Sequence, residues 1–375
     1  MRGNLPTNCS NELGTFRSIL FRTYRKVHAM KALVLEENAR LVYKDVPFPE
    51  KPPGRSYLIK VHAAGICGSD MHRGFEGGAY RYPLIMGHEF CGVVEEAPQN
   101  GRYEKGRRVT VFPLLPCRKC RACQTGDFAQ CRDYDYYGSR RDGAFAEYLW
   151  APEENLFPLP GQVKTLHAAM TEPCAVALHG VRKLRVKGGE TAAVYGAGPI
   201  GNMVAQWLRV RGCRRVLLVD VDEKKLGIAR DMGFGTFNPG EGDPVEQILE
   251  ITENEGADLA VEACGLPLTY RQALQSVCLQ GEVVFLGNLG GDLSLSQKDV
   301  STMLRKEITI YGTWNSKIVP AGIDDWSTAL EYIDRELAVA PLISHTPLLR
   351  EGARVFERIL GKKEFYNKVI FKVGE

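Results

Sequence analysis

The chain has 375 residues, 44% hydrophobic and 25% charged, with a formal net charge of +3, which is enough apolar material for two ordinary domains. Its apolar runs fall far short of the roughly 20 residues that cross a bilayer, so no transmembrane helix is expected. The charge sits in a tail: residues 1–29 carry Arg2, Arg17, Arg22, Arg25 and Lys26 against Glu12 alone, leaving a near-neutral body without the basic domain that nucleic-acid binding needs.

Residues 1–29 are expected to form a loosely ordered extension, whose short apolar stretch around Ile19 and Leu20 is too brief for a secretory signal. Eleven cysteines suit a reducing cytoplasm better than an export route. From Met30, β-branched runs alternate with Gly and Pro turns. Strands are expected at Ala32–Leu35, Tyr57–Ala63, Gly92–Glu96 and Arg108–Val111, giving a mostly antiparallel, barrel-like domain.

Inside that domain, Cys67-Gly-Ser69-Asp70-Met-His72 is followed by Gly87-His88-Glu89. A Cys, a His and a carboxylate can hold a zinc ion with one position open, as a Lewis-acid metal requires. The carboxylate is assigned to Glu172, in Thr171-Glu172-Pro173-Cys174, with Glu89 or Cys174 equally compatible with the sequence. Taken singly these motifs have a bland reading, as core filler or a strand end.

Between Cys67 and Glu172 lies a stronger signal. Cys117, Cys120, Cys123 and Cys131 stand with two residues between each of the first three and seven before the fourth. Four thiolates in one tight segment fill a tetrahedral zinc and leave no open position, so the site is read as structural. A disulfide cluster is the alternative, but nothing else suggests a small secreted scaffold.

Near Leu178 the pattern changes. Strands at Ala192–Tyr195, Val216–Asp220, Thr236–Asn238, Leu259–Glu262, Val283–Leu286 and Ile308–Tyr311 alternate with amphipathic segments, which predicts a doubly wound parallel sheet. The first strand runs into Gly196-Ala-Gly198-Pro199-Ile200-Gly201, which opens a helix, and Asp220 ends the second. Glycines at those positions allow a tight turn and let the backbone approach a pyrophosphate at the helix N-terminus. Asp220 is expected to take the adenosine ribose hydroxyls, repelling a 2′-phosphate and favouring NAD over NADP, with Lys225 closing over the ribose.

The order Cys67, Gly-His88-Glu89, four-cysteine loop, Glu172-Pro173 and Gly196-x-Gly-x-x-Gly resembles the zinc-dependent medium-chain alcohol and polyol dehydrogenases, from Met30 to Glu375. The segments Pro113 to Cys117, Tyr137 to Tyr148 and Leu304 to Trp314 are most similar to the galactitol-phosphate branch of that family. The resemblance implies an α/β plus β architecture. A GroES-like barrel-type catalytic domain (30–177 and 314–375) would carry an inserted Rossmann NAD-binding domain (178–313). It further implies one catalytic and one structural zinc per chain, NAD, a small polyol or polyol-phosphate substrate, a homodimer or homotetramer, and no nucleic-acid or membrane partner. In related alcohol dehydrogenases the residues at Ser69 and His72 relay the hydroxyl proton to solvent. Arg140, Arg141, Lys306 and Trp314 are the expected substrate contacts, since guanidinium suits phosphate. The competing reading is that the cations are solvated or paired with acids such as Asp142 and Glu307. A non-catalytic NAD binder of the same fold is disfavoured by the intact Cys67, His88 and Glu172 with Ser69 behind them.

Overall fold

The computed structural model describes residues 29–319 and 322–374. The basic extension expected at the N-terminus therefore lies, apart from Ala29, outside the described residues.

The chain begins with an antiparallel pair, Ala29–Glu37 against Arg40–Pro47, and the short strand Leu84–Ile85 joins Ala29–Glu37 on its other side. Ala32, Leu33, Val34 and Leu35 are buried in the first core, so this outer sheet is covered where it meets the barrel. The larger sheet runs in the order Leu156–Pro158, Arg108–Val111, Glu89–Glu96, Ser56–Gly65, Lys368–Lys372, Ile343–His345, with Tyr148–Pro152 also paired to Ser56–Gly65. Ser56–Gly65 is its hub, pairing antiparallel with three different strands.

Six parallel strands form the second unit. Numbered from Thr191–Tyr195, their spatial order is 3-2-1-4-5-6, that is Gly235–Phe237, Arg215–Val219, Thr191–Tyr195, Ala257–Glu262, Val277–Phe285 and Thr309–Gly312. Along Thr191–Tyr195 the side chains alternate between two cores: Ala192 and Val194 face one, Ala193 and Tyr195 the other. A strand buried on both faces has no polar side, which is why Thr191–Tyr195 and Arg215–Val219 read as apolar runs. Each fully buried Val or Leu here contributes roughly 1.5–3 kcal/mol relative to exposure. In such a sheet the ligand crevice lies outside the carboxyl ends of the strands, where the order reverses between the first and fourth. The glycine turn after Tyr195 occupies that point.

The chain then returns to the first unit. Helix Asp325–Tyr332 packs on helix Thr171–Val181, and strand Lys368–Lys372 pairs antiparallel with Ser56–Gly65, setting Ile370 opposite Gly65. This last strand delivers Lys368 to the neighbourhood of Cys67. No helix among the described residues is long and apolar enough to cross a membrane.

Candidate active site and metal centres

The four-cysteine loop folds so that its sulfurs converge. Cys117 Sγ lies 3.9 Å from Cys123 Sγ, Cys120 Sγ lies 3.6 Å from Cys123 Sγ and 3.9 Å from Cys131 Sγ, and all four lie within 4.8 Å of one another. A disulfide would hold two sulfurs at about 2.05 Å, whereas four zinc–sulfur bonds of about 2.3 Å in a tetrahedron put the sulfurs about 3.8 Å apart. The donor set therefore fits zinc and not a disulfide, and none of the four is bridged to another cysteine. Backbone N–H groups of Arg132 and Cys123 stabilise the Cys120 thiolate and bring its pKa down to about 6. Metal binding needs that deprotonated form.

The second cluster is assembled by strand ends. Cys67 is the N-cap of helix Gly68–Phe75, and its N–H donates to Asp70 Oδ2 at 3.0 Å. His88 and Glu89 sit where strand Glu89–Glu96 begins, and Cys67, His88 and Glu89 offer ligand atoms all within 4.8 Å of one another. Glycine is required opposite them: a Cβ on Gly65 would fall 2.3 Å from Glu89 Oε2. His88 Nδ1 is buried without a hydrogen-bond partner, 3.6 Å from Asp70 Oδ1. Burial lowers the His88 pKa, but the negative charges of Asp70 and Cys67 outweigh it and hold the ring well above its ordinary value. A buried pocket that draws positive charge onto an imidazole suits a cation, and this donor set fits a zinc site with an open position.

Glu172 lies close by, in the first turn of helix Thr171–Val181, where Tyr136 Oη stands 3.4 Å from Glu172 Oε1. Burial pushes its pKa up to about 7, with His88 opposing and Glu89 reinforcing that shift. Glu172 lines the cleft but is not within the tight Cys67–His88–Glu89 group, so Glu89 is the carboxylate the geometry brings closest to Cys67 and His88. Cys174 points the other way: wholly buried, its thiol lies 3.1 Å from Met203 Sδ in the core. Two residues along a helix rotate the side chain about 200°, so Glu172 and Cys174 cannot share a face.

Across the cleft is the glycine turn. Gly196 has φ +107°, a Cβ on Gly201 would fall 1.7 Å from the Gly196 carbonyl oxygen, and Gly198 faces open space as N-cap of helix Pro199–Val210. Those are the three demands of a dinucleotide fingerprint: a tight turn, close helix–strand packing, and a bare backbone where phosphate approaches. Asp220 accepts from Ala197 N at 2.8 Å and from Asp222 N at 2.9 Å, so its carboxylate is fixed beside the turn. Lys225 is in the first turn of the next helix, Glu223–Asp231, which Asp222 caps.

The sequence comparisons agree with this construction. Residues 53–161 match the alcohol dehydrogenase GroES-like domain, and residues 199–335 match the zinc-binding dehydrogenase domain. The chain belongs to the zinc-binding alcohol dehydrogenase family. It is 32% identical to galactitol 1-phosphate 5-dehydrogenase of Escherichia coli over 84% of this chain and 92% of that one. The crystal structure of the E. coli galactitol-1-phosphate dehydrogenase superposes with a TM-score of 0.86 at 31% identity, covering 92% of this chain and 100% of the other. Sorbitol dehydrogenase of Bacillus subtilis is 31% identical over 79% of this chain and 85% of its own length. A zinc-binding dehydrogenase from Sinorhizobium meliloti, solved with NADP bound, has a TM-score of 0.84 at 31% identity, covering 92% of this chain and 99% of its own.

In this dehydrogenase the two walls enclose a cleft of about 560 Å³, lined among others by Cys67, Ser69, His88, Glu89, Glu172, Gly198 and Trp314. Ser69 is exposed there, as expected of a group that touches substrate. His72 is not part of the lining. It is exposed on the outer side of its helix, with Nδ1 2.8 Å from Glu76 Oε2. The cationic residues also part company. Arg140 lines the cleft, stacked over Tyr134 at 4.2 Å and Tyr80 at 5.0 Å, with no carboxylate in ion-pair range among the described residues. Arg141 instead pairs with Asp135 at 2.7 Å, outside the cleft, and Asp142 is taken by Arg81 at 2.7 Å. Lys306 does not reach the cleft: its Nζ donates to the Val277 carbonyl at 2.6 Å, at the start of strand Val277–Phe285. The expectations of substrate contact for Arg141 and Lys306 are thus corrected by their partners.

Sequence reasoning missed three groups. Asp70 is fully buried between Arg73 and His88, with Oδ1 2.9 Å from Arg73 Nη1 and 3.6 Å from His88 Nδ1, and sets a negative charge beside the imidazole. Tyr136 is half-buried beside Glu172. Lys368 forms a buried ion pair with Glu89 and donates to the Ile66 carbonyl at 2.9 Å. Asp70, an acid three residues after Cys67 in a helix start, carried a local signal; Lys368 had none.

Proposed function

We propose that this dehydrogenase oxidises a secondary alcohol of a polyol or polyol phosphate to a ketose with NAD as acceptor. Galactitol 1-phosphate, giving tagatose 6-phosphate, is the favoured substrate. One observation carries the reading: a single cleft joins Cys67, His88 and Glu89 on one wall to the glycine turn on the other, with a guanidinium at Arg140 that no carboxylate of the described residues pairs. When bound, zinc supplies Lewis-acid polarisation of the alcohol oxygen and the nicotinamide supplies a hydride acceptor.

The protein's own residues do the positioning. Cys67, His88 and Glu89 would hold the ion, with Glu172 beside them; the Asp70 charge lies next to His88, and Lys368 pairs with Glu89. Gly198 to Gly201 receive the pyrophosphate, Pro199 and Ile200 shape the helix start, and Asp220 and Lys225 take the ribose. Ser69 Oγ, exposed in the cleft, would take the hydroxyl proton while its own passes to solvent water, since His72 lies outside the lining. Ile66, Val176 and Leu286 line the same cleft and exclude water from the reacting carbon. Cys117, Cys120, Cys123 and Cys131 would hold a second, structural zinc. Self-association as a homodimer or homotetramer completes the proposal.

Sorbitol or xylitol is the second reading, favoured by the similar identity to the Bacillus enzyme. Initial rates of NAD reduction with galactitol 1-phosphate, sorbitol, xylitol, 2,3-butanediol and threonine decide between them. The favoured reading requires the polyol phosphate to have the highest kcat/KM. A preference for free sorbitol supports the second reading, and no turnover on any of the five contradicts both.

A further inference from the structure

A second cavity, also of about 560 Å³, shares no lining residue with the active-site cleft. Three segments build it. The four-cysteine loop contributes Arg121 and Arg132, the turn after helix Thr171–Val181 contributes Lys183, and the returning chain contributes Lys317. Four permanent cations therefore face one carboxylate, Asp127.

That carboxylate is already committed. Lys317 Nζ lies 2.8 Å from Asp127 Oδ1, and Thr125 Oγ1 donates to Asp127 Oδ2 at 2.8 Å. Arg121, Arg132 and Lys183 have no carboxylate in ion-pair range among the described residues. The cysteine loop fixes two of them. Arg121 opens helix Arg121–Gln124, between Cys120 and Cys123, and Arg132 follows Cys131 with its backbone N–H bonded to the Cys120 sulfur. Phe128 and Ala129 form a buried apolar part of the wall.

Cations that merely solvate a surface spread apart, because gathering them destabilises the folded state by self-repulsion. Here segments distant in sequence hold them around a concave, partly apolar floor, which concentrates positive potential. Guanidinium groups also match phosphate oxygens in geometry.

We propose that this cavity binds a compact polyanion, a phosphorylated small molecule carrying at least two phosphate charges, separately from substrate and cofactor. The site goes beyond the dehydrogenase reading and does not depend on it. Its three segments also supply cleft residues: Tyr134 and Tyr136 follow Arg132, Glu172 and Val176 lie on the helix that precedes Lys183, and Trp314 and Asn315 precede Lys317. An anion bound there contacts the same segments that shape the active site.

The test is calorimetric titration of inorganic pyrophosphate into the zinc-loaded enzyme. Saturating NADH fills the glycine turn, and an Arg140→Ala background removes the guanidinium of the cleft. One site per chain is expected, weakened at least about tenfold by Arg132→Gln and by Lys183→Gln, each of which removes a charge-assisted contact. Lys119→Gln, an exposed cation of the same loop outside the cavity, should leave affinity unchanged. Lys183 lies outside the zinc loop, so its variant tests the site even if Arg132→Gln loses metal. No binding at millimolar pyrophosphate, full affinity in Lys183→Gln, or an equal loss in Lys119→Gln would overturn the proposal.

Discussion

Arg140→Ala is the most informative substitution for substrate choice. The guanidinium packs on Tyr134 and Tyr80 and donates to the Tyr134 carbonyl at 3.3 Å, but no acid neutralises it. Losing stacking at an exposed position costs about 0.5–1 kcal/mol and acts on every substrate alike. A charge-assisted hydrogen bond to a phosphate is worth about 1.5–3 kcal/mol; at an exposed position the lower end applies, roughly tenfold in kcat/KM. The assay is NAD reduction with galactitol 1-phosphate and with sorbitol. Arg140→Ala should lower kcat/KM about tenfold for the phosphorylated substrate, mainly through KM, and by much less for sorbitol. Arg141→Ala, which removes the partner of Asp135 and a stack on Tyr137 outside the cleft, should leave the ratio of the two substrates unchanged. Equal losses on both substrates in Arg140→Ala would refute the reasoning and make Arg140 a structural stack.

Cys120→Ser should lower zinc content by one equivalent and reduce the melting temperature, because metal binding supplies folding free energy to the loop; mass spectrometry and a thermal scan check both. Asp220→Ala should weaken NAD and narrow its advantage over NADP, since the charge that repels a 2′-phosphate is gone; a wild type that already prefers NADP contradicts this role. Gly201→Ala should abolish dinucleotide binding measured by fluorescence titration, as its methyl has no room against the Gly196 carbonyl.

How much of this could be read from residues alone depended on distance along the chain. The central parallel strands Thr191–Tyr195 and Arg215–Val219 were legible because burial makes each a nearly unbroken apolar run, the outer ones by their alternation with amphipathic helices, and the glycine turn and cysteine loop are local patterns whose spacing states their geometry. The strands Arg40–Pro47 and Lys368–Lys372 were not, the first being half-exposed and mixed in character and the second defined by its partner. Lys368 reaches the Ile66 carbonyl across a separation of 302 residues, which no local pattern encodes. Arg140 and Arg141 are neighbours of one type, and only the tertiary placement of Asp135 and Tyr134 tells the committed guanidinium from the free one. The order of preference among Glu172, Glu89 and Cys174 likewise needed the helix rotation and the Gly65 approach.

On the proposed function, the alcohol is oxidised at the metal site formed by Cys67, His88 and Glu89. That assignment is tested most directly by NAD reduction with galactitol 1-phosphate and sorbitol in His88→Ala, with zinc counted in the same preparation. Two zinc ions and turnover are expected in the wild type, and one zinc ion without measurable turnover on either substrate in the variant. A His88→Ala enzyme that keeps both zinc ions and its activity would contradict it.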